Sequence, residues 1–170
     1  KTKKVAVKQL KRDKIKEVEM LEKLRYEIKI LAQVNHENIV QFVGACWNKP
    51  PCVWIIMEYL QGGTLEVLLD KLAIERVAKI GLNDVTEGIA IDVARGLKYL
   101  HHELDPVSSC IHRDIKPANI LLTKEFKAKI SDLGESRFKE AGTSDQMTMV
   151  GTPLYCAPEI LSHQEYNEKV

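Results

Sequence analysis

The run His112-Arg113-Asp114-Ile115-Lys116-Pro117-Ala118-Asn119-Ile120-Leu121-Leu122 constrains this chain more than any other feature. It places a carboxylate, an ammonium and an amide two and five residues apart on one short loop. Each group suits a different part of one chemistry. An Asp can accept a hydroxyl proton, a Lys two residues on can balance charge on a transferred phosphoryl group, and an Asn three further on can offer its carbonyl oxygen to Mg²⁺. Asp114, Lys116 and Asn119 are therefore candidate catalytic residues, with Asn119 a candidate metal ligand as well.

The rest of the composition says that such chemistry must be local. A chain of 170 residues, 45% of them hydrophobic, has the length of one domain and the means to build a core. Lys+Arg 25 against Asp+Glu 24 leaves a net charge of +1, which gives no nucleic-acid footprint. The basic opening, Lys1 to Lys16, reads as a solvated strand edge and the start of a helix. Cys46, Cys52, Cys110 and Cys156 form no CxxC pair and have no histidines at zinc spacing. They are expected to be reduced and buried, in a cytoplasmic setting. No apolar run approaches the ~18–20 residues that span a bilayer. The first residue is Lys1 and not Met, so a fragment is expected, and a membrane segment outside these residues stays open.

Alternation over Lys4-Val5-Ala6-Val7-Lys8 predicts a strand with Val5 and Val7 on one face and Ala6 and Lys8 on the other. From about Asp13 to Val34 the period becomes helical, with Met20, Leu24, Leu31 and Val34 on one stripe. Glu27 sits within that stripe, and a carboxylate on a core-facing line needs a cation. Ile39 to Trp47 and Cys52 to Tyr59 read as two adjacent strands around the turn cluster Asn48-Lys49-Pro50-Pro51. After Gln61-Gly62-Gly63 a short helix is predicted from Thr64 to about Leu72, then a less regular segment, Ala73 to Asn83. Asp84 and Glu87 read as a capping box opening a long helix to about His101, with Val85, Ile89, Val93 and Leu97 as its apolar stripe. Ile120 to Leu122 and Ala128 to Ile130 are short apolar pieces between polar loops.

Three further motifs give the loop its company: Val5-Ala6-Val7-Lys8 with Glu27 downstream, Asp132-Leu133-Gly134, and Gly151-Thr152-Pro153-Leu154-Tyr155-Cys156-Ala157-Pro158-Glu159. Together with His112 to Leu122, in this order, they resemble the catalytic domain of eukaryotic protein kinases, serine/threonine type. The resemblance implies an α+β, two-lobed fold, incomplete here. Residues 1–60 would be a small-lobe portion with the hinge, and 61–170 a large-lobe portion with the catalytic loop and activation segment. It implies ATP and Mg²⁺ as cofactors, with Lys8 on the phosphates, held by Glu27, and Asp132 joining Asn119 on the metal. Ala6 and Leu121 would sandwich the adenine, Met57 would be the gatekeeper, and Glu58, Tyr59 and Leu60 the hinge. Leu31, Phe42, Leu133 and His112 would stack as a regulatory spine. Leu133 stands where kinases usually carry Phe.

Lys116 together with Thr152 is the serine/threonine pattern, so the implied partners are proteins with Ser or Thr acceptors, and Thr152 would help to position them. Arg113 would meet phosphate on the activation loop, at Thr148 or less favourably at Thr143 or Ser144, which implies an upstream activating kinase. Asn38 to Cys46 and Asp92 to His101 look most like the tyrosine-kinase-like group. No glycine-rich phosphate loop occurs, and little follows Glu159. The isolated 170 residues are therefore expected to be unstable and inactive, with the stripe from Val85 to Leu97 left in water. The alternative is a pseudokinase or kinase-like scaffold that binds partners without turnover. Its usual mark is loss of Lys8, Asp114 or Asp132, and all three are present.

Overall fold

The computed structural model describes residues 3–9, 18–49, 52–75, 82–140 and 151–170, and the side chains discussed lie within 3–9, 22–46, 54–73, 84–139 and 151–170. The Met20 side chain, Cys52 and the phosphosite candidates Thr143, Ser144 and Thr148 lie outside these. The architecture is α+β, as the motifs implied. A small antiparallel sheet of order β1-β3-β2 is formed by β1 (Val5–Gln9), β2 (Phe42–Lys49) and β3 (Cys52–Glu58), and helix α1 (Val18–Leu31) lies between β1 and β2 in the chain. The remainder carries two helices, α2 (Leu65–Glu75) and α3 (Leu82–His102), and two further small sheets. One has the order β4-β6-β7, from β4 (Gly63–Thr64), β6 (Ile120–Leu122) and β7 (Ala128–Ile130). The other pairs β5 (Ser108–Ile111) with β8 (Arg137–Glu140), and a short helix α4 (Pro158–Leu161) follows. No described helix is long and apolar enough to cross a membrane.

Alternation sets β1 as expected: Val5 and Val7 are exposed, while Ala6 pairs with Met57 and Lys8 with Ile55 on the other face. The α1 stripe is buried at Leu24, Leu31 and Val34, and Glu27 is buried within it. The helix ends at Leu31, but the Val34 N–H still bonds the Ile30 carbonyl at 3.3 Å, so the winding carries the stripe on to Val34. One continuous core joins α1 to Ile55 of β3, to Ile89 and Leu100 of α3 and to Ile120, Leu122 and Ile130 of β6 and β7.

Several boundaries differ from the sequence reading. β2 begins at Phe42 because Ile39 makes a parallel bridge to Ile130 instead, and the Val40 N–H bonds the Ile130 carbonyl at 2.9 Å. Asn48 and Lys49 belong to the strand, since Lys49 pairs with Cys52. α2 runs on to Glu75, so Ala73 is helical. Asp84 is the third described residue of α3 and lies inside its first turn, so it is not the cap. The stripe of α3 does not face water: Ile89 is buried and Val85, Val93 and Leu97 pack against the core. Of the three cysteines described, all free, only Cys110 is buried, and Cys46 and Cys156 are half-buried. Burial pushes the Cys110 thiol up to about 12. β4, β5 and β8 carry no alternation that a short window can reveal, because each is defined by a partner far along the chain.

α3 approaches β7 closely at Gly96. A Cβ there would stand 2.8 Å from Ile130 Cδ1 and 2.9 Å from the Asn38 carbonyl oxygen. The Ile130 methyl can shift, whereas the Asn38 carbonyl is committed to the Ile130 N–H at 2.8 Å. Gly96→Ala would add about 1 kcal/mol of helix propensity but cost about 1–3 kcal/mol in overpacking. Net destabilisation is expected, read as a lower denaturant midpoint with unchanged slope; a midpoint at or above wild type would refute the close-packing argument.

Candidate active site

Lys8 lies on β1 and points toward α1. Its Nζ donates to Glu27 Oε1 at 2.7 Å and to Asp132 Oδ1 at 2.8 Å. The strand's alternation puts Lys8 on that face, and the helical stripe brings Glu27 to meet it, so the carboxylate that needed a cation has one. The Glu27 side chain is only 5% exposed, against 41% for Lys8. Burial works against the Lys8 ammonium, but Glu27 and Asp132 outweigh it and hold its pKa above the ordinary value. Burial pushes the Glu27 carboxyl above the usual carboxylate range in spite of Lys8. Asp132 sits at φ +61°, in the left-handed region, as does Arg113 at φ +68°. Non-glycine residues adopt this conformation at a cost of order 1–3 kcal/mol, and such residues cluster at working sites.

The second cluster surrounds Asp114. Lys116 Nζ lies 2.7 Å from Asp114 Oδ2 and donates to Thr152 Oγ1 at 2.7 Å. The Thr152 N–H and hydroxyl both donate to Asp114 Oδ1, at 3.0 and 2.8 Å. Asn119 Nδ2 donates to the Asp114 carbonyl at 2.8 Å and to its Oδ2 at 2.9 Å. Burial pushes the Asp114 carboxyl up, but Lys116, Thr152 and Asn119 together hold it below the usual range. Thr152 is brought here from 38 residues away by Gly151, whose φ is +105° and whose missing Cβ would stand 2.5 Å from the Arg113 carbonyl oxygen. Only glycine fits that approach.

The two clusters are joined by residues that spacing alone does not reveal. The Ser131 N–H and Oγ both donate to the Asn119 backbone carbonyl at 2.9 Å, so the residue before Asp132 is fastened to the loop that carries Asp114. His112 Nδ1 accepts the Asp114 N–H at 3.2 Å, and its Nε2 lies 3.0 Å from the Ser131 carbonyl. Those partners set a neutral ring with the proton on Nε2, and burial lowers the His112 pKa in the same sense. The sequence offers no signal for Ser131, because a serine before an aspartate is ordinary.

Arg113 Nε donates to the Glu135 carbonyl at 2.6 Å, and its Nη1 is buried without a partner among the described residues. It lines a cleft of about 710 Å³ with Lys23, Arg25 and Lys29 of α1 and Arg137 of β8, against Glu22 and Glu135 as the acidic members. The expected adenine-side residues are placed as follows. Ala6 and Met57 are cross-strand partners, Glu58 closes β3, Leu60 is half-buried just beyond it, and Leu121 is half-buried in β6 beside Thr64 and Lys129. Leu31, Leu133 and His112 of the expected spine are buried, and Phe42 packs half-buried against the core.

The protein kinase domain family matches residues 1–170. A Dictyostelium discoideum protein described as a probable serine/threonine-protein kinase is 40% identical over 99% of this chain and 12% of its own length. The human serine/threonine-protein kinase TNNI3K is 39% identical over 80% of this chain and 15% of its own length. The Arabidopsis thaliana serine/threonine-protein kinase STY46 is 34% identical over 97% of this chain and 26% of its own length. The chain thus spans about a quarter or less of these relatives. With a strand lysine paired to a helix glutamate, a loop built on Asp114 and a match over its whole length, the chain belongs to the protein kinase domain family.

Proposed function

We propose that the protein containing this chain transfers the γ-phosphoryl of ATP to Ser and Thr hydroxyls of protein substrates. The observation that carries this is the pair of hydroxyl and ammonium contacts on one carboxylate: Thr152 Oγ1 and Lys116 Nζ both reach Asp114. A carboxylate so held can accept a proton from an incoming hydroxyl while Lys116 balances charge on the phosphoryl group. Mg²⁺ needs one or two protein oxygens besides phosphates and water. Asn119 spends its side-chain NH₂ on Asp114 and keeps its side-chain Oδ1, and Asp132 uses Oδ1 for Lys8 and keeps Oδ2, so these residues fit the ion. Bound Mg·ATP would supply the phosphoryl group and the charge that Lys8 is set to meet. Residues 1–60 would serve as the small-lobe portion and hinge, and 61–170 as the large-lobe portion.

The test is transfer of radiolabelled phosphate from ATP by the whole protein that contains this chain, offered mixed peptides with Ser, Thr or Tyr as acceptor. Label on Ser and Thr is expected; label confined to Tyr would overturn the acceptor assignment. The same assay addresses regulation. The basic cleft around Arg113, whose Nη1 has no partner among the described residues, supports a phosphate placed on the activation segment by an upstream kinase. Thr148→Ala should then lower activity, and full activity in that variant would remove the proposal. The 170 residues alone are proposed to be inactive, since Leu154, Tyr155 and Leu161 of the closing segment stand 84%, 48% and 44% exposed. The free cysteines support an intracellular setting, where thiols stay reduced.

A further inference from the structure

The second sheet ends in a strand whose outer edge is buried. β7 stands last in the order β4-β6-β7, and its Ala128 and Ile130 are wholly buried. A strand edge away from water must find partners elsewhere for its N–H and carbonyl groups. Those of Ile130 are met by the backbone before β2: its N–H donates to the Asn38 carbonyl at 2.8 Å, and its carbonyl accepts the Val40 N–H at 2.9 Å. Those of Ala128 are met by two side chains. Asn38 Nδ2 donates to the Ala128 carbonyl at 3.1 Å, and the Ala128 N–H donates to Asp92 Oδ2 of α3 at 3.0 Å.

Asp92 is a buried carboxylate that belongs to neither site cluster. Its side chain is 5% exposed, and Arg95, 60% exposed, approaches only its Oδ1, at 3.8 Å. An aspartate side chain is short, so α3 must lie close to β7 for Oδ2 to reach Ala128. Gly96, one turn on along the same helix face, allows that approach, since a Cβ there would meet Ile130 and the Asn38 carbonyl. What the bond holds is a hairpin carrying both residues that fit the ion. β6 and β7 pair Leu122 with Ala128 and Ile120 with Ile130, and the register runs on to the Ser131 N–H, which donates to the Asn119 carbonyl. Asn119 and Asp132 thus stand at the same end of one hairpin. Side chains alternate along a strand, so a slip of one residue would turn β7 over and carry Asp132 away. Asp92 and Asn38 hold both outward groups of Ala128, four residues before Asp132, and oppose that slip.

We propose that Asp92 is a positioning residue for the divalent cation: by fixing the register of β7 from α3, it sets where Asp132 stands relative to Asn119. This rests on the ATP and Mg²⁺ reading above. The test uses the whole protein that contains this chain and reads the free Mg²⁺ concentration that gives half-maximal phosphoryl transfer at saturating ATP. Asp92→Leu, with no acceptor for the Ala128 N–H, is expected to raise it about three- to tenfold, less than the ~10–100-fold typical of a residue bonded directly to a metal ligand. Asp92→Asn keeps an oxygen at that place and should stay within about twofold of wild type. A Leu variant with wild-type Mg²⁺ dependence, or an Asn variant as impaired as Leu, would overturn the proposal. Hydrogen exchange at single-residue resolution, without metal or nucleotide, gives a second readout. The Ser131 amide should exchange faster in Asp92→Leu than in Asp92→Asn, and equal rates would refute the register role. Should Asp92→Leu not fold, wild type suffices: its Ala128 amide should exchange as slowly as that of Ile130, and a fast one would refute the role of Asp92. If wild type transfers no phosphoryl group at any Mg²⁺ concentration, it is the ATP reading that fails, and exchange decides the register role separately.

Discussion

Asp114→Asn in the whole protein that contains this chain is expected to lower kcat by about 10²- to 10⁴-fold, the usual worth of a positioned general base. The substitution keeps the volume of the side chain and an oxygen for the Thr152 N–H, so the loop should stay in place. What it removes is the basic site and the charge that Lys116 meets at 2.7 Å. KM for ATP should change little, because Lys8, Glu27 and Asp132 form a separate cluster. The pH dependence has a definite sign. Lys116, Thr152 and Asn119 hold the folded Asp114 carboxyl below the ordinary value against the effect of burial. The stability it contributes is therefore present above the ordinary carboxylate pKa and is lost as pH falls through the folded value. Between about pH 6 and 8 the base stays ionised, and no acid limb of the rate profile in that range should vanish in the Asn variant. Steady-state kinetics on both proteins decide the matter: a variant with wild-type kcat would show that Asp114 is not the base.

Lys8→Met is expected to have the second largest effect, because one ammonium serves two carboxylates. Loss of a preorganised charge of this kind typically costs about 10²- to 10³-fold in rate, and kcat/KM for ATP should fall by that order. Stability should fall too. Removing one partner of a buried pair costs about 3–5 kcal/mol, and the 41% exposure of the Lys8 side chain reduces this to about 1–3 kcal/mol. The Glu27 carboxyl is already raised by burial with Lys8 present, and without it the shift grows. A group whose folded pKa is raised contributes stability below its unfolded pKa and loses it as pH rises through the folded value. The melting deficit of Lys8→Met should thus be small in mild acid and widen toward neutral pH. A deficit that narrows on that path would mean that Glu27 is not the group left unpaired.

Legibility followed the range of the forces. The β1 alternation and the α1 stripe were plain in the sequence, and with them the need of Glu27 for a cation, because each depends on neighbours two to four residues away. The run from Asp114 to Asn119 was equally plain, since its three polar groups lie within six residues. Missed were the strands β4, β5 and β8, where Ser108–Ile111 pairs with Arg137–Glu140 across the 25 residues between them. Asp84 was misread as a cap because an acidic residue in a first turn resembles one just outside it.

By itself the sequence determined which chemical groups are present and which short elements carry them: Lys8 on a strand, Glu27 on a helix face, Asp114, Lys116 and Asn119 on one loop. Only the tertiary structure decided how these groups share partners. One ammonium bridges Glu27 and Asp132, Thr152 caps Asp114 through a glycine that tolerates φ +105°, Ser131 fastens one cluster to the other, and Asp92 of α3 finds the Ala128 N–H of β7. The reason is physical. Local pattern sets the face on which a side chain stands, whereas a charge or hydrogen bond is settled by distances of about 3 Å that exist only once the core has brought distant segments together.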